Sequence, residues 1–169
     1  WVTPPQKIEM EAMSRLANHP FSVPGLSDGG AHMKFLTAAI YPTYFLGTLC
    51  RDNNVMSLEK AHWKLSAYPA QVAGIRDRGH LTEGFGADIV IYDLDELDYG
   101  PMERLQDFPA DDWRLVQRPK GYKYIIVNGV VTFTDDSKCT GETPGRFLRN
   151  GIASAPPVKI AKEHKKDVA

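Results

Sequence analysis

The sequence has few cysteines and no long apolar run. Its two cysteines, Cys50 and Cys139, lie far apart and form no ligand or redox motif. This spacing excludes a disulfide scaffold and favours reduced thiols in a cytoplasmic protein. No apolar stretch approaches the roughly 20 residues that a membrane helix needs. We therefore expect no membrane association.

Neither sign of charge is in excess. The 169 residues include 20 lysines and arginines against 21 aspartates and glutamates, which gives a net charge of −1. Without a basic surplus there is no electrostatic case for binding nucleic acid or an acidic membrane surface. A hydrophobic content of 43% is typical of a globular protein of one domain, or of one domain and a piece of another.

One glycine-rich segment combines a carboxylate with an imidazole. The apolar stretch Phe21–Leu26 runs into the sequence SDGGAH at residues 27–32. This pattern is typical of a buried parallel strand that delivers chemistry to a pocket at its carboxyl end. Asp28 and His32 could bind a metal ion or move a proton. Alternatively, Asp28 caps a turn before a helix and His32 is an ordinary loop histidine.

Residues 1–75 have the pattern of an α/β region. The periodicity predicts a helix over Lys7–Ala17, a strand over Ser22–Leu26 and a buried helical stretch over Phe35–Leu49. A further helix is expected to begin with Ser57 as its cap and to be broken at Pro69, after which a short helix follows. Helix, strand and polar loop in this order indicate an α/β fold.

Residues 76–149 have the pattern of a β-rich region. Strands are predicted over Ala87–Tyr92, Tyr122–Val127 and Val130–Thr134, the last two joined by a turn at Asn128-Gly129. The polar segment Asp93–Lys120 is expected to be mostly loop. Arg78 is expected to pair with Asp77 or Asp88 as part of the scaffold, and residues 150–169 to form a flexible basic tail.

Several short blocks stand in the order in which one enzyme family has them. They are SDGGAH at 27–32, LEKA at 58–61, SAYPA at 66–70, GIRDRG at 74–79, LTEG at 81–84, ADIVIYD at 87–93, VNGV at 127–130 and TGETPGR at 140–146. Together they resemble the carboxyl-terminal portion of the amidohydrolase superfamily, in the branch of N-acyl-D-amino-acid deacylases, or D-aminoacylases. The resemblance spans about Phe21 to Arg149.

The resemblance implies a fold, a metal and a reaction. Family members are (β/α)8 barrels with a small β-sandwich, so this chain would supply the last strand–helix units of the barrel and part of the sandwich. The implied reaction is the zinc-dependent hydrolysis of a non-peptide amide bond in a small-molecule N-acyl-D-amino acid. Asp28 matches the aspartate that takes a proton from the metal-bound water and hands it to the leaving nitrogen, and it would contact the zinc. His32 would contact the substrate or orient Asp28.

The matched portion is only the end of such an enzyme. An eight-stranded barrel needs roughly 250 residues, whereas this chain has 169 and begins at Trp1. The His-x-His pair that opens the family's metal site is absent from the sequence. We therefore expect a fragment that is inactive alone, holds zinc poorly, and associates with the remainder of the barrel or with itself through exposed strand edges.

Two alternatives remain open from the sequence. The Asp28 segment does not separate a deacylase from a cyclic amidase or a deaminase of the same superfamily, because absent loops would build most of the substrate pocket. In a different class, the chain could be a non-catalytic binding module without a metal requirement. Trp113 and Arg114 are candidates for selecting a substrate, and a packing role explains them equally well.

Overall fold

Helices occupy the amino-terminal half of the chain. The computed structural model describes residues 9–25, 27–34, 38–135 and 138–149. The helical elements are α1 (Met10–Asn18), a 3-10 turn (Ala38–Ile40), α2 (Tyr41–Tyr44), a π-helical segment (Phe45–Asp52), α3 (Leu58–His62), a second π-helical segment (Trp63–Ala67) and α4 (Tyr68–Val72). The predicted cap of α3 is confirmed, because the Ser57 hydroxyl accepts a hydrogen bond from the amide of Lys60 at 3.3 Å.

The predicted helix break at Pro69 is wrong. Pro69 lies in the first turn of α4, which continues directly from the π-helical segment Trp63–Ala67. The wider π-helical turn before it shifts the hydrogen-bonding register, so the chain remains helical through the proline.

The predicted strand over Ser22–Leu26 is also wrong. Residues 22–25 have no regular structure, and Leu26 lies outside the described residues. A parallel strand requires a neighbouring strand, yet every strand pair in the described part of the chain is antiparallel and lies within residues 89–139. Pro24 also lacks the amide donor that a central strand needs. The observed architecture is a mixture of helices and antiparallel sheets, and the strand–helix units of a barrel with part of a β-sandwich stay a prediction.

Antiparallel strands occupy the carboxyl-terminal half. They are β1 (Ile89–Tyr92), β2 (Asp98–Tyr99), β3 (Glu103–Phe108), β4 (Asp112–Val116), β5 (Pro119–Lys120), β6 (Tyr122–Val127), β7 (Val130–Thr134) and β8 (Lys138–Cys139). Strands β1, β6, β7 and β8 form one sheet in the order β1-β6-β7-β8. The predicted hairpin is confirmed, with Asn128 and Gly129 both at positive φ (47° and 81°), as a tight turn between twisted strands requires.

The expectation that Asp93–Lys120 is mostly loop is wrong. Strands β3 and β4 form an antiparallel hairpin, and β2 pairs with β5. The sequence does not reveal the hairpin, because charged or amide side chains occupy six of the 11 positions of β3 and β4 and the apolar alternation is weak. Contacts between side chains connect the two strands. Arg114 donates to both oxygens of Asp107, and the guanidinium of Arg104 lies 4.4 Å from the centre of the Trp113 ring.

The helices and the sheet share one apolar core. Its buried members come mainly from the helical half, with Leu97 contributed from the strand-rich half: Ala17, Phe45, Leu46, Leu49, Cys50, Met56, Ala61 and Leu97. A hydrogen bond of 2.8 Å between the hydroxyls of Thr43 and Tyr122 also connects the halves. The division into residues 1–75 and 76–149 stays a prediction, and the tail at 150–169 lies outside the described residues.

The two cysteines differ in exposure. Cys50 is buried and Cys139 exposed, and both are free thiols. Burial raises the pKa of the Cys50 thiol, and the nearby charge of Glu59 adds to the effect.

Across the described ranges, no helix has the length and apolar character to cross a membrane.

Candidate functional site

Asp28 and His32 lie on an exposed loop of two successive turns. Both residues have positive φ values, 52° for Asp28 and 50° for His32, a conformation that aspartate and histidine adopt more readily than most residues. The carbonyl of Asp28 accepts a hydrogen bond from the amide of Ala31 at 3.0 Å. The Ser27 hydroxyl accepts one from the amide of Gly29 at 3.0 Å. Local hydrogen bonds, in place of a strand, therefore set the backbone around the predicted catalytic carboxylate.

The β3–β4 hairpin supports one side of this loop. The amide of Leu115 donates to the carbonyl of Met33 at 2.7 Å. The ammonium of Lys34 lies 2.8 Å from Oδ2 of Asp112. This hydrogen bond from Lys34, together with the amide of Trp113, lowers the pKa of Asp112, so the carboxylate stays charged and paired at neutral pH. Strand β4 thus runs beside the end of the loop that follows His32.

A cleft of about 440 Å³ lies between the start of the helical stretch and the four-stranded sheet. A Cβ placed on Gly29 would lie 3.1 Å from Cβ of Ala39, and Ala39 lines the cleft. The remaining walls come from the start of the helical stretch, from the segment that leads into β5 and from the four-stranded sheet: Ile40, Pro42, Thr43, Val90, Gln117, Pro119, Tyr122, Lys123, Tyr124, Ile125, Phe133 and Thr134. Asp28 and His32 are not among the residues that line this cleft, so the structure does not bring the two predicted site residues into it.

A buried lysine holds the segment that leads into the loop. Lys64 is fully buried and donates to the carbonyls of His19 (2.7 Å) and Ser22 (2.6 Å). Burial lowers the pKa of its ammonium, and the charge of Lys60 adds to this. The Tyr68 hydroxyl donates to the carbonyl of Pro20 at 2.8 Å. The second π-helical segment and α4 therefore position residues 19–22 by hydrogen bonds to the backbone.

Sequence reasoning missed Lys64, although a signal was present. Lys64 lies three residues after the buried Ala61 and three before the buried Ala67, so it occupies the apolar face of its helix. A lysine at such a position must bury its charge, and it needs polar partners to do so. The backbone carbonyls of His19 and Ser22 are those partners.

The two residues considered for substrate selection have different surroundings. Arg114 is engaged with Asp107 by two pairs of atoms (2.9 and 2.7 Å), so it has a structural partner in the hairpin. Trp113 faces two cations, Arg104 at 4.4 Å and Lys34 at 5.6 Å from the ring centre. Trp113 therefore lies near the end of the Asp28 loop, through Lys34, whereas Arg114 forms an ion pair within the hairpin.

The described residues do not assemble a complete metal site. Within these ranges, no group of three or more histidine, cysteine, aspartate or glutamate side chains is placed to hold a metal ion. A zinc site normally has four ligands, three of them from protein at a catalytic centre. Asp28 and His32 are donors of suitable chemistry, but they are too few to hold zinc by themselves.

Comparison with known proteins defines the class. The family model described as the amidohydrolase family matches residues 2–133, and the chain belongs to that family. An N-acyl-D-glutamate deacylase of Alcaligenes xylosoxydans xylosoxydans is 34% identical over 117 residues, which cover 68% of this chain and 22% of the relative. An N-acyl-D-aspartate deacylase of the same organism is 28% identical over 143 residues, or 83% of this chain and 26% of the relative.

A solved structure gives a similar but weaker match. A D-aminoacylase mutant in complex with CuCl2 is 28% identical, with a TM-score of 0.49 over 64% of this chain and 21% of that chain. The chain thus spans only about a fifth to a quarter of the length of the relatives it matches. The activity and substrates of the complete relatives are therefore considered below as proposals.

Proposed function

We propose that this chain forms the carboxyl-terminal part of a zinc-dependent amidohydrolase that deacylates N-acyl-D-amino acids, and that it is inactive alone. The observation that carries the proposal is the family match over residues 2–133, which includes the Asp28 loop. The two named deacylase relatives act on N-acylated D-amino acids according to their names. The full enzyme would be a cytoplasmic (β/α)8 barrel with a small β-sandwich, to which this chain adds the final units.

Asp28 is the proposed proton carrier. An aspartate carboxylate can take a proton from the water that attacks the amide carbon and pass the proton to the nitrogen that leaves, so that the amide gives a carboxylic acid and an amine. The positive φ and the exposed position of Asp28 leave its carboxylate accessible to a substrate. His32, four residues later in the same loop, is proposed to contact that substrate.

Zinc is proposed as the metal of the complete enzyme, with Asp28 as one of its ligands. The described residues provide no complete ligand set, so further donors would have to come from outside them. Such donors from the rest of the polypeptide would complete the site, because a catalytic zinc ion is held by three protein ligands. The proposed inactivity of the isolated chain follows from this missing set.

The test compares Asp28→Asn with a matched control in the complete gene product that contains this chain. Asp111 is also exposed and also has a positive φ, 56°, but it lies in the turn of the β3–β4 hairpin. With N-acetyl-D-glutamate as substrate, Asp28→Asn should lower kcat by about 10²-fold to 10⁴-fold, and Asp111→Asn should leave it unchanged.

Two results would contradict the proposal. A kcat for Asp28→Asn within a few-fold of the wild-type value would remove Asp28 from the proton-transfer role. Robust hydrolysis of N-acyl-D-amino acids by the 169-residue chain on its own would refute the proposed inactivity. Hydrolysis of cyclic amides or release of ammonia, without deacylation, would move the assignment to a cyclic amidase or a deaminase.

A further inference from the structure

Hydrogen bonds between neighbouring residues set the shape of the loop that carries Asp28, residues 27–34. The amide of Ala31 donates to the carbonyl of Asp28, and the amide of Gly29 donates to the hydroxyl of Ser27, each at 3.0 Å. Both bonds lie within the loop, so they fix its turns without fixing its place on the molecule. The place of the loop depends on contacts with other elements.

Strand β4 holds the carboxyl-terminal end of this loop through two contacts. The amide of Leu115 donates to the carbonyl of Met33 at 2.7 Å, and the ammonium of Lys34 lies 2.8 Å from Oδ2 of Asp112. Two successive loop residues are therefore held by one strand, the first through its backbone and the second through its side chain. Because Asp28 belongs to the same short loop, a displacement of this end is passed along the chain to its backbone.

Asp112 is itself held in the orientation that pairs it with Lys34. Its Oδ1 accepts a hydrogen bond from the amide of Trp113 at 2.9 Å, and its Oδ2 faces the ammonium. The ammonium also lies 5.6 Å from the centre of the Trp113 ring, within the range of cation–π attraction. The side chain of Lys34 therefore has two partners on β4, and partners that restrict a side chain in this way also restrict the backbone from which it extends.

The turn that precedes Asp112 has an unfavourable backbone conformation. Ala110 has φ and ψ values of 60° and 34°, and Asp111 has a φ value of 56°. Alanine rarely adopts this left-handed conformation, because its Cβ crowds the following carbonyl oxygen. Backbone strain of this kind occurs preferentially at functional sites. Here it lies directly before the carboxylate that contacts the Asp28 loop.

We propose that Asp112 is a positioning residue for the deacylation, because its pairing with Lys34 holds the Asp28 loop in the geometry that catalysis requires. This inference rests on the proposed function, in which Asp28 carries the proton. A catalytic group must be held close to its productive position, and a misplacement of about 1 Å can cost about 10²-fold in rate. Asp112 acts through Lys34 and not on the substrate, so its loss should lower kcat and change KM little.

A second ion pair in the same hairpin provides the matched control. Asp107 accepts hydrogen bonds from two nitrogens of Arg114 (2.9 and 2.7 Å) and, at 36% exposed, its side chain is more buried than that of Asp112 at 43%. Asp107→Asn therefore weakens the hairpin at least as much as Asp112→Asn does. It leaves the contacts between β4 and the Asp28 loop intact, so it separates a general loss of hairpin stability from a loss of positioning.

The first experiment measures the loop in the 169-residue chain and needs no turnover. Amide hydrogen exchange, followed by NMR, reports on the amides of Ala31 and Leu115, which close the turn at Asp28 and connect β4 to the loop. Asp112→Asn should raise both exchange rates by about 3-fold to 10-fold, as expected for the loss of a partly exposed ion pair. Asp107→Asn should leave the Ala31 rate within about 2-fold of the wild-type value. An unchanged Ala31 rate in Asp112→Asn, or an equal rise in both variants, would overturn the proposal.

The second experiment measures kinetics in the complete gene product with N-acetyl-D-glutamate as substrate. Asp112→Asn should lower kcat by about 5-fold to 50-fold, with KM within about 3-fold of the wild-type value, and Asp107→Asn should keep both parameters. Asp112→Glu, which retains the charge, should recover part of the loss. The exchanged pair, Lys34→Asp with Asp112→Lys, should regain most of the kcat that either single variant loses, because the attraction between the two positions is restored.

The kinetic and exchange results distinguish the two proposals. A wild-type enzyme that deacylates while Asp112→Asn retains its kcat would refute the positioning role and leave the deacylase function standing. A wild-type enzyme that does not deacylate, with faster Ala31 exchange in Asp112→Asn alone, would refute the function and leave the hold of Asp112 on the loop standing. A rise in KM equal to the fall in kcat would also contradict positioning, because it would indicate contact with the substrate.

Discussion

Replacement of Arg78 by methionine should strongly destabilise the protein. Arg78 is 7% exposed, and the prediction from sequence that it pairs with Asp77 or Asp88 is confirmed for both. Its Nε lies 2.6 Å from Oδ2 of Asp88, and its Nη1 lies 3.4 Å from Oδ2 of Asp77. Its Nη2 donates to the side-chain oxygen of Asn128 at 2.7 Å. One buried guanidinium therefore connects the segment before β1 to the β6–β7 turn.

The expected loss follows from the charges that the substitution leaves behind. The side chain of Asp77 is 6% exposed, so water does not replace the missing cation there. Asp88 is 38% exposed, and water compensates for part of its loss. Breaking a buried ion pair by removing one partner costs about 3–5 kcal/mol. For a chain of this size, such a loss lowers Tm by about 6–20 °C.

The measurement is the free energy of unfolding, from urea titrations followed by circular dichroism. Arg78→Met is compared with Arg118→Met, which removes an exposed arginine with one long contact of 3.8 Å and should change the free energy by less than about 0.5 kcal/mol. Arg78→Lys keeps the charge without the planar fork and should lose an intermediate amount. If Arg78→Met unfolds within about 1 kcal/mol of the Arg118→Met control, the reasoning from buried charge is incorrect.

Three further predictions concern the same scaffold. A Cβ at Gly86 would lie 1.8 Å from Nη1 of Arg78, so Gly86→Ala should lower the free energy of unfolding about as much as Arg78→Met. A double-mutant cycle should show that the two losses do not add, because both substitutions disturb the same guanidinium. Full additivity would contradict the contact. The pKa of Lys64 is lowered in the folded chain, so the unfolded chain binds this proton more tightly. The free energy of unfolding of the wild type relative to Lys64→Met should therefore rise with pH in the range just below 10.5. Urea titrations at about pH 8 and about pH 10 measure this difference in free energy, and a difference that stays constant or falls would disprove the prediction. One edge of β1 has no partner strand among the described residues, and Val90 in this strand is 50% exposed. Val90→Lys should therefore reduce the concentration-dependent association of the chain, measured by sedimentation velocity. A wild-type chain that is monomeric at every concentration would contradict this prediction.

Local chemistry explains which elements the sequence predicted. Asn128-Gly129 imposes a tight turn because both residues tolerate positive φ, so the β6–β7 hairpin was predictable from two positions. Ser57 predicted the start of α3 because its hydroxyl satisfies an amide that has no partner within the helix. In the same way, the SDGGAH segment identified the turn that carries Asp28, and the order of the short blocks identified the family.

Long-range contacts explain what the sequence did not predict. An apolar run such as Phe21–Leu26 becomes a strand only where a neighbouring strand offers hydrogen bonds, and no local pattern records whether that neighbour is present. The β3–β4 hairpin depends on Arg104 stacking on Trp113 and on Arg114 pairing with Asp107, so its stability comes from contacts across the hairpin and its sequence lacks a clear alternation. Lys64 is buried because residues 19 and 22 present carbonyls to it from more than 40 positions away.

The sequence by itself determined the family, the turn that carries Asp28 and His32, and the strands of the main hairpin. Each of these depends on residue identity and short-range backbone preference, which act within a few positions. Only the tertiary structure decided that the β3–β4 hairpin supports the Asp28 loop, that Arg104 lies over the Trp113 ring in that hairpin, and that a cleft forms between the start of the helical stretch and the four-stranded sheet. These features arise from contacts between distant segments, and the energy of such contacts exists only once the chain has folded.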